Sequence, residues 1–270
     1  MLIAGAMPTL WHERRLTAPE LSNVRTAIAL TSLWLAALLF FFSLPGMDIA
    51  ASRAFFSAKA CAHPTTLADV CGVFPLSQQE NLAGLRKALF YLPALTALWL
   101  LWLLIEALQH HGATYDGDKV RKLSLSLLAF VLGPGLLVNV FLKSFSNRPR
   151  PRETDLFGGD LAFQPAGDFS GACTDNCSFI SGEAAGAGWL VCLLVFLSYR
   201  RRSALYRIVI VVGVLTPSLR LMFGGHYLSD VVLGWLSSAA VFACVFAAAD
   251  LWNLRTRRAE MDKLPVAKSI

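Results

Sequence analysis

Two residues in the last quarter of the sequence have the types and spacing of a nucleophile and its charged partner. His226 and Asp230 are four residues apart, so they share one face if this segment is helical. A carboxylate bonded to one ring nitrogen of a histidine fixes the tautomer and makes the other nitrogen more basic, so that it can act as a nucleophile. Arg220 adds a cation six residues upstream. A lone histidine is usually structural, whereas this set favours chemistry on an anion.

A cluster of cations follows an apolar run in the segment K-S-F-S-N-R-P-R-P-R. Its four cations are Lys143, Arg148, Arg150 and Arg152. Arginine presents a planar fork to phosphate oxygens and lysine presents a point charge. The alternative without a catalytic role is a patch that binds lipid headgroups at a membrane surface. We favour a phosphate-binding site built from Lys143 and Arg150 together with Arg220, with Arg148 as an additional candidate.

A third polar segment, Ser181-Gly182-Glu183, opens an apolar run. A helix that starts with Ser-Gly presents free N–H groups and a hydroxyl, which favour an anion such as phosphate. The same pair is also a common helix cap. Glu183 in the first helical turn is equally well explained as a carboxylate that interacts with the helix dipole.

The composition indicates which class of protein holds these residues. Apolar residues make up 56% of the chain and charged residues 16%, whereas a soluble domain is about a quarter charged. This argues against an ordinary soluble enzyme, a disordered chain and a nucleic-acid-binding module. The net charge of +6 is also expected of a membrane protein, whose cytoplasmic loops carry excess cations.

Six apolar runs predict an all-α, six-transmembrane-helix bundle in one domain that covers residues 1–270. The fourth run is long enough only if its helix starts near Gly182, and the fifth only if Arg220 faces the interface or a polar cavity. The one Gly-Pro-Gly interruption inside a run is Gly133-Pro134-Gly135. The runs are Thr26–Leu44, Ala88–Ile105, Leu123–Leu142, Ala184–Tyr199, Tyr206–Phe223 and Val231–Ala249.

The distribution of cations orients this bundle. With six spans both termini lie on one side, and most of the Lys and Arg residues lie on that side, which is therefore predicted to be cytoplasmic. Residues 1–25 and 253–270 are the predicted cytoplasmic tails. The first run follows a long polar lead and is interpreted as a retained span rather than a signal peptide. The cation cluster at Lys143 lies on the outer side, against the topological bias, and this favours a functional site.

Four cysteines lie in the two predicted outer loops. Disulfides persist in oxidising compartments such as the periplasm, so we expect the pairs Cys61–Cys71 and Cys173–Cys177. Free thiols are the alternative. A metal site at Cys173 and Cys177 is less favoured, since no histidine lies nearby.

The three polar segments together resemble the type 2 phosphatidic acid phosphatase (PAP2) superfamily of membrane lipid phosphatases, whose fold is shared with vanadate-dependent haloperoxidases. The motif K-x6-R-P is matched by Lys143, Arg150 and Pro151. The motif S-R-x5-H-x3-D is matched by Arg220, His226 and Asp230, with Leu219 in place of serine.

The resemblance implies a mechanism. His226 would attack the phosphorus and form a phosphohistidine, and Asp230 would orient and stabilise it. The phosphate oxygens would be held by Lys143, Arg150, Ser181, Gly182 and Arg220. No metal and no cofactor would be needed, because the cations stabilise the transition state.

The middle motif, P-S-G-H, is matched only in part by Ile180-Ser181-Gly182-Glu183. The family's histidine protonates the leaving group, and Glu183 stands in its place. A carboxylic acid can do the same if its surroundings keep it protonated, so Glu183 is a candidate general acid. The alternatives are that it orients a water, or that the leaving group needs less help, as in a sugar-1-phosphate or a pyrophosphate.

The string Cys-x3-Cys-Ser-Phe-x-Ser-Gly-Glu also resembles a subgroup of bacterial lipid A phosphatases, the 4′-phosphatase branch, which acts at the outer face of the inner membrane. The expected partners are therefore the bilayer and a membrane phospholipid or lipid A, with no nucleic acid. Other candidate substrates are undecaprenyl pyrophosphate, phosphatidylglycerophosphate and phosphatidic acid.

Three other classes of protein are alternatives to a lipid phosphatase. In a transporter or scramblase we would expect charges deep in the spans or symmetric broken helices. A haem protein needs paired histidines inside spans. The six spans disfavour a soluble haloperoxidase.

Overall fold

A computed structural model describes residues 18–61, 70–197 and 202–261 of the chain, and in this part the fold is helical. Two short strands, β1 (Ser57–Lys59) and β2 (Cys71–Val73), form the one antiparallel pair of the described residues. The helices are α1 (Ala18–Ser43), α2 (Gly46–Arg53), α3 (Glu80–Gln109), α4 (Gly117–Phe130), α5 (Gly182–Cys192), α6 (Arg202–Met222) and α7 (Leu228–Met261).

Five helices of the described chain are long and apolar enough to cross a membrane, which makes the protein a multi-pass membrane protein. These spans are Ser22–Ser43, Glu80–Gln109, Gly117–Phe145, Ala204–Met222 and Leu228–Arg257. The predicted count of six is not confirmed, because the fourth predicted run forms the shorter apolar helix Gly182–Phe196. The tail predicted at 253–270 is helical as far as Met261, and residues 1–17 and 262–270 lie outside the described residues.

The short helix α5 is the centre of the bundle rather than a lipid-facing span. Every residue from Ala184 to Leu190 is buried, and α5 packs against α3, α6 and α7. Glycines allow this close approach, because a Cβ on Gly188 would lie 2.6 Å from the Trp235 carbonyl oxygen and one on Gly234 would lie 2.5 Å from that of Ser181. A central helix needs no lipid-spanning length, since protein surrounds it.

The interruption at Gly133-Pro134-Gly135 does not break its helix. The chain widens from α4 into a π-helix, Val131–Leu142, and closes with the turn Lys143–Phe145. A π-helix is rare and is frequent near functional sites. The Asn139 side chain donates to the Pro134 carbonyl oxygen at 2.7 Å, which satisfies a polar group inside an apolar helix.

The loops beside the Lys143 end of this helix form a compact polar and aromatic layer. Both cysteine pairs are joined here, with Cα–Cα distances of 5.3 Å for Cys61–Cys71 and 5.8 Å for Cys173–Cys177. The rings of Phe56, Phe74 and Phe157 pack against one another with centroids 5.4–5.8 Å apart. This layer holds the connections between helices in place around the site described next.

Candidate active site

Most of the predicted site residues meet at one end of the bundle, around a cavity of about 720 Å³. The end of the π-helix, the start of α5 and the α6–α7 turn all reach this cavity, together with the start of α3. Its lining is cationic, with a few other polar side chains: Arg86, Asn139, Lys143, Arg150, Arg152, Asn176, Glu183, Arg220 and His226. The remainder of the wall is largely apolar and comes mainly from α3 and the π-helix.

His226 is 2% exposed and faces the cavity with one edge of its ring. Its Nδ1 atom lies 2.8 Å from the Ser178 carbonyl oxygen, which identifies Nδ1–H as a donor and leaves Nε2 with the lone pair. Among the described residues Nε2 has no hydrogen-bond partner. The pKa of His226 is lowered to about 3, mainly by burial, while Asp230 opposes the shift and Arg220 and Arg150 add to it. The ring is therefore neutral at pH 7, as a nucleophile requires.

Asp230 is close to His226 but does not bond to it directly. Asp230 Oδ2 is 3.8 Å from His226 Nδ1, which is longer than a hydrogen bond. It accepts instead from the Ser178 hydroxyl at 2.6 Å and from the Tyr227 N–H at 3.0 Å. The predicted direct hydrogen bond is thus replaced by a link through Ser178, whose carbonyl group contacts His226 and whose hydroxyl contacts Asp230. The reason is that His226 precedes α7 and is not part of the helix.

Arg220 reaches the cavity from the last turn of α6, so the cation in the fifth apolar run faces a polar cavity rather than lipid. The turn that follows contains Gly224 at φ +60 and a bond from Gly225 N–H to the Arg220 carbonyl oxygen, an arrangement that commonly ends helices. Gly225 lies against the Arg220 guanidinium, since a Cβ there would be 2.8 Å from Cζ. The turn thus places Arg220 and His226 side by side.

Lys143 and Arg150, predicted to bind phosphate, both line the cavity. Among the described residues the Lys143 amine has no hydrogen-bond or ion-pair partner. Arg150 donates to the Asn176 carbonyl oxygen at 2.7 Å. Its buried Nε has no hydrogen-bond partner among the described residues, and the nearest carboxylate oxygen, Glu153 Oε1, is 3.9 Å away. Burial and the neighbouring Arg152 lower the pKa of Arg150. Cations held close together with unused donors form a site for an anion.

Ser181 and Gly182 have different positions. Gly182 lines the cavity at the first turn of α5. Ser181 is fully buried, and its hydroxyl accepts from the Ala184 N–H at 3.3 Å as the cap of α5. The structure therefore brings the Gly182 backbone to the cavity but uses the Ser181 side chain as a helix cap.

Glu183 lies between two arginines at the cavity wall. Its Oε1 atom is 2.7 Å from Arg86 Nη1 and 3.4 Å from Arg220 Nε. Oε2 is buried and has no hydrogen-bond partner in the part of the chain that the structure describes. Two guanidinium neighbours are the surroundings of a charged acceptor rather than of a proton donor. The geometry thus favours an ion-pairing role for Glu183 over the predicted role as general acid.

Arg148, predicted as an additional phosphate ligand, does not line the cavity. Its side chain is fully buried behind the site, where Nη1 is 2.6 Å from Asp230 Oδ1 and Nη2 is 2.8 Å from Asp48 Oδ2. Burial lowers the pKa of Arg148, but Asp230 and Asp48 more than offset this, so the pKa is raised overall. Its donors are used inside the protein, where the guanidinium pairs with Asp230 and Asp48.

Four residues of the site were missed by reasoning from sequence: Asp48, Arg86, Asn139 and Ser178. Asn139 is a polar residue inside an apolar run, and this alone was a signal. Arg86 lies in α3 and Asp48 in α2, both far from the motifs along the chain, and neither carries a motif. Among the described residues, no group of three or more His, Cys, Asp and Glu side chains is arranged to hold a metal ion.

The arrangement suits transfer of a phosphoryl group to a histidine. The neutral His226 ring lines a cavity in which lysine and arginine side chains can bind an anion. These cations can stabilise the charge of the phosphoryl group during its transfer. A carboxylate near the far side of the ring stabilises the positive charge that develops on it.

The chain is similar to known proteins over most of its length. The model of the PAP2 superfamily matches residues 123–253. The chain is 45% identical over 243 residues to a Lipid A 4′-phosphatase of Rhizobium etli, with 88% of this chain and 95% of the relative covered. It is 46% identical to a Lipid A 4′-phosphatase of Rhizobium leguminosarum, covering 80% and 92%. A transmembrane PAP2 type phosphatidylglycerolphosphate phosphatase from Bacillus subtilis aligns with a TM-score of 0.46 at 20% identity, covering 84% and 96%. The identity to relatives over nearly their whole length shows that the chain belongs to the PAP2 superfamily.

Proposed function

We propose that this protein is a metal-independent lipid phosphate phosphatase whose substrate is lipid A. The observation that carries the proposal is the position of His226, which lines a cavity together with Lys143, Arg150 and Arg220. Its Nδ1 lies 2.8 Å from the Ser178 carbonyl oxygen, which leaves Nε2 as the nitrogen with the lone pair. The relatives named Lipid A 4′-phosphatase support the choice of lipid A among phosphorylated lipids. Phosphatidic acid, phosphatidylglycerophosphate and undecaprenyl pyrophosphate are the alternatives that an assay has to separate.

The reaction has two steps. Nε2 of His226 attacks the phosphorus, the N–P bond forms, and the bond from phosphorus to the lipid oxygen breaks. The departing oxygen takes a proton from water in the cavity, because Glu183 is engaged with Arg86 and Arg220. The hydroxide left by that proton transfer then attacks the phosphorus of the phosphohistidine, the N–P bond breaks, and inorganic phosphate and the neutral ring are released. Asp230 and the Ser178 carbonyl group stabilise the ring while it carries positive charge.

The cavity wall fits a lipid substrate. Its polar part holds the cations, and its apolar part includes Leu89, Phe90 and Pro134. The Phe90 side chain is 51% exposed on a membrane-spanning helix, so this wall meets the lipid region. A phosphate can therefore reach His226 while the acyl chains stay in an apolar environment.

We place the protein in the bacterial inner membrane with the cavity facing the periplasm. The excess of cations on the side of the two termini supports this orientation. The two disulfide pairs lie in loops near the cavity, and disulfides persist in the periplasm.

The test is phosphate release by the purified protein without added metal. The panel contains lipid A, phosphatidic acid, phosphatidylglycerophosphate and undecaprenyl pyrophosphate. We expect lipid A to have the highest kcat/KM and His226→Ala to abolish release from every lipid. Release that survives His226→Ala would overturn the mechanism, and a different first-ranked lipid would replace lipid A as the substrate.

A further inference from the structure

A buried ion-pair network lies directly behind the His226 ring and ends on a residue of α2. Asp48, in the first turn of α2, accepts from the Ser229 N–H at 2.8 Å and from the Ser229 hydroxyl at 2.6 Å. It also accepts from Arg148 at 2.8 Å. Every one of these contacts donates to a carboxylate oxygen, which is the environment of an ionised carboxylate. Burial raises the pKa of Asp48, and Arg148 opposes the rise.

Arg148 joins Asp48 to the catalytic carboxylate. Its Nη1 donates to Asp230 Oδ1 at 2.6 Å and to the Ser229 hydroxyl at 2.8 Å, and its Nε donates to the Gln164 carbonyl oxygen at 2.9 Å. The guanidinium lies 4.4 Å from the centroid of the Tyr227 ring. The side chains of Asp48, Arg148 and Asp230 are all 0% exposed. The network is therefore shielded from solvent, and its charges act on their neighbours with little screening.

The charge balance of this network bears on catalysis. If Arg148 were paired with Asp230 alone, the pair would be neutral and would offer little to an imidazolium ring. Asp48 shares the same guanidinium, so the network carries one more negative than positive charge. That excess lies beside His226, whose ring becomes cationic when Nε2 binds phosphorus.

We propose that Asp48 is a positioning residue for phosphoryl transfer, which through Arg148 leaves Asp230 with the negative charge that stabilises the phosphohistidine. The inference rests on the proposed phosphatase function. Asp48 precedes the region matched by the superfamily model, residues 123–253, so the matched motifs do not include it. Its role would be to tune Asp230, and it does not line the cavity.

The first experiment compares Asp48→Asn with wild type in two measurements, steady-state hydrolysis of lipid A and rapid-quench formation of the phosphoenzyme. Asparagine keeps the size of the side chain and removes the charge. We expect kcat and the rate of phosphoenzyme formation to fall about 10- to 100-fold, as is common when a supporting partner of an active-site group is changed. KM should stay within about twofold of wild type, because the cavity cations are unchanged.

Asp250→Asn is the matched control. Asp250 is also a buried carboxylate that pairs with an arginine, Arg121, and it accepts from Asn23 at 2.7 Å. It lies twenty residues further along α7 than Asp230, about 30 Å away at the rise of an α-helix. We expect wild-type kcat from Asp250→Asn. An equal loss in both variants would overturn the proposal and assign Asp48 a structural role.

The double variant Asp48→Asn/Arg148→Met tests the charge argument and covers the case in which Asp48→Asn does not fold. It loses more contacts than the single variant, yet it restores the excess negative charge at Asp230. We expect phosphoenzyme formation in the folded double variant within about tenfold of wild type. A folded double variant as slow as Asp48→Asn, or more than about 100-fold below wild type, would overturn the proposal.

Failure of this inference is distinguishable from failure of the proposed function. If wild type releases phosphate and His226→Ala does not, the function stands whatever Asp48 does. If wild type releases none, the function itself fails.

Discussion

The Nδ1 atom of His226 donates to the Ser178 carbonyl oxygen at 2.8 Å, so the residue that fixes the tautomer lies 48 positions away in the chain. The Ser178 hydroxyl donates to Asp230 Oδ2 at 2.6 Å. One serine therefore contacts both the nucleophile and its carboxylate partner.

Ser178→Ala should lower kcat and leave KM close to wild type. The variant keeps the carbonyl contact with His226 but removes the hydroxyl that positions Asp230. Hydrogen bonds to charged groups are worth about 1.5–3 kcal/mol, so a fall of about 10- to 100-fold is expected. Steady-state kinetics on lipid A check this. Ser238→Ala is the control, since that buried hydroxyl donates to the Ala185 carbonyl oxygen at 2.6 Å, outside the site. A KM that changes in one of the two variants and not in the other would argue against the assignment.

The lowered pKa of His226 has a measurable consequence for stability. The folded protein keeps this ring neutral down to about pH 3, while the unfolded chain protonates it below its ordinary value of 6.5. Between these values the unfolded state binds more protons, so the ring's contribution to stability is lost as pH falls. His226→Gln should therefore lose less Tm than wild type between pH 7 and pH 5. Parallel melting curves of the two proteins would contradict the assignment.

Glu183→Gln separates an ion-pairing role from the role of general acid. General acids contribute typically 10²–10⁴-fold to rate. Because Glu183 contacts Arg86 and Arg220, we expect the Gln variant to lose less than about 100-fold in kcat and to show a raised KM. Glu183→His, which restores the residue usual in the family motif, is measured beside it. A loss of several thousandfold in kcat in Glu183→Gln but not in Glu183→His would restore the role of general acid for Glu183.

The disulfide Cys173–Cys177 should support activity more than Cys61–Cys71 does. Its loop carries the Asn176 carbonyl oxygen that holds Arg150 at 2.7 Å and is followed directly by Ser178. A small displacement of such groups can lower rate about 100-fold. Cys173→Ala/Cys177→Ala should therefore have the lower kcat/KM of the two double variants, measured on lipid A. Reducing agent should then have little further effect on it, and an equal loss in both variants would contradict the prediction.

Gly225→Ala should weaken binding of the phosphate group. Its Cβ would lie 2.8 Å from the Arg220 guanidinium and would displace it. We expect a raised inhibition constant for inorganic phosphate and a raised KM. Gly84→Ala in α3 is the control, because its Cβ would meet no atom within 4 Å. Unchanged phosphate inhibition in Gly225→Ala would show that Arg220 does not bind the anion.

The sequence by itself determined the membrane location, the positions of most helices and the principal chemical groups. Apolar runs of spanning length leave a chain few structures in a bilayer other than helices. Motif spacing was sufficient to select four residues that line one cavity, Lys143, Arg150, Arg220 and His226. These residues lie at or near helix ends, so a short separation along the chain also keeps them close in space.

Only the tertiary structure decided how these groups are used. Arg148 and Arg150 are two residues apart and have the same chemistry, yet Arg148 is buried against Asp48 and Asp230 while Arg150 lines the cavity. Arg86 of α3 and Asp48 of α2 reach the site from helices in which no local pattern marks them. Burial and long-range pairing depend on which helices pack together, and for a charged side chain these decide whether it binds substrate or supports a neighbour.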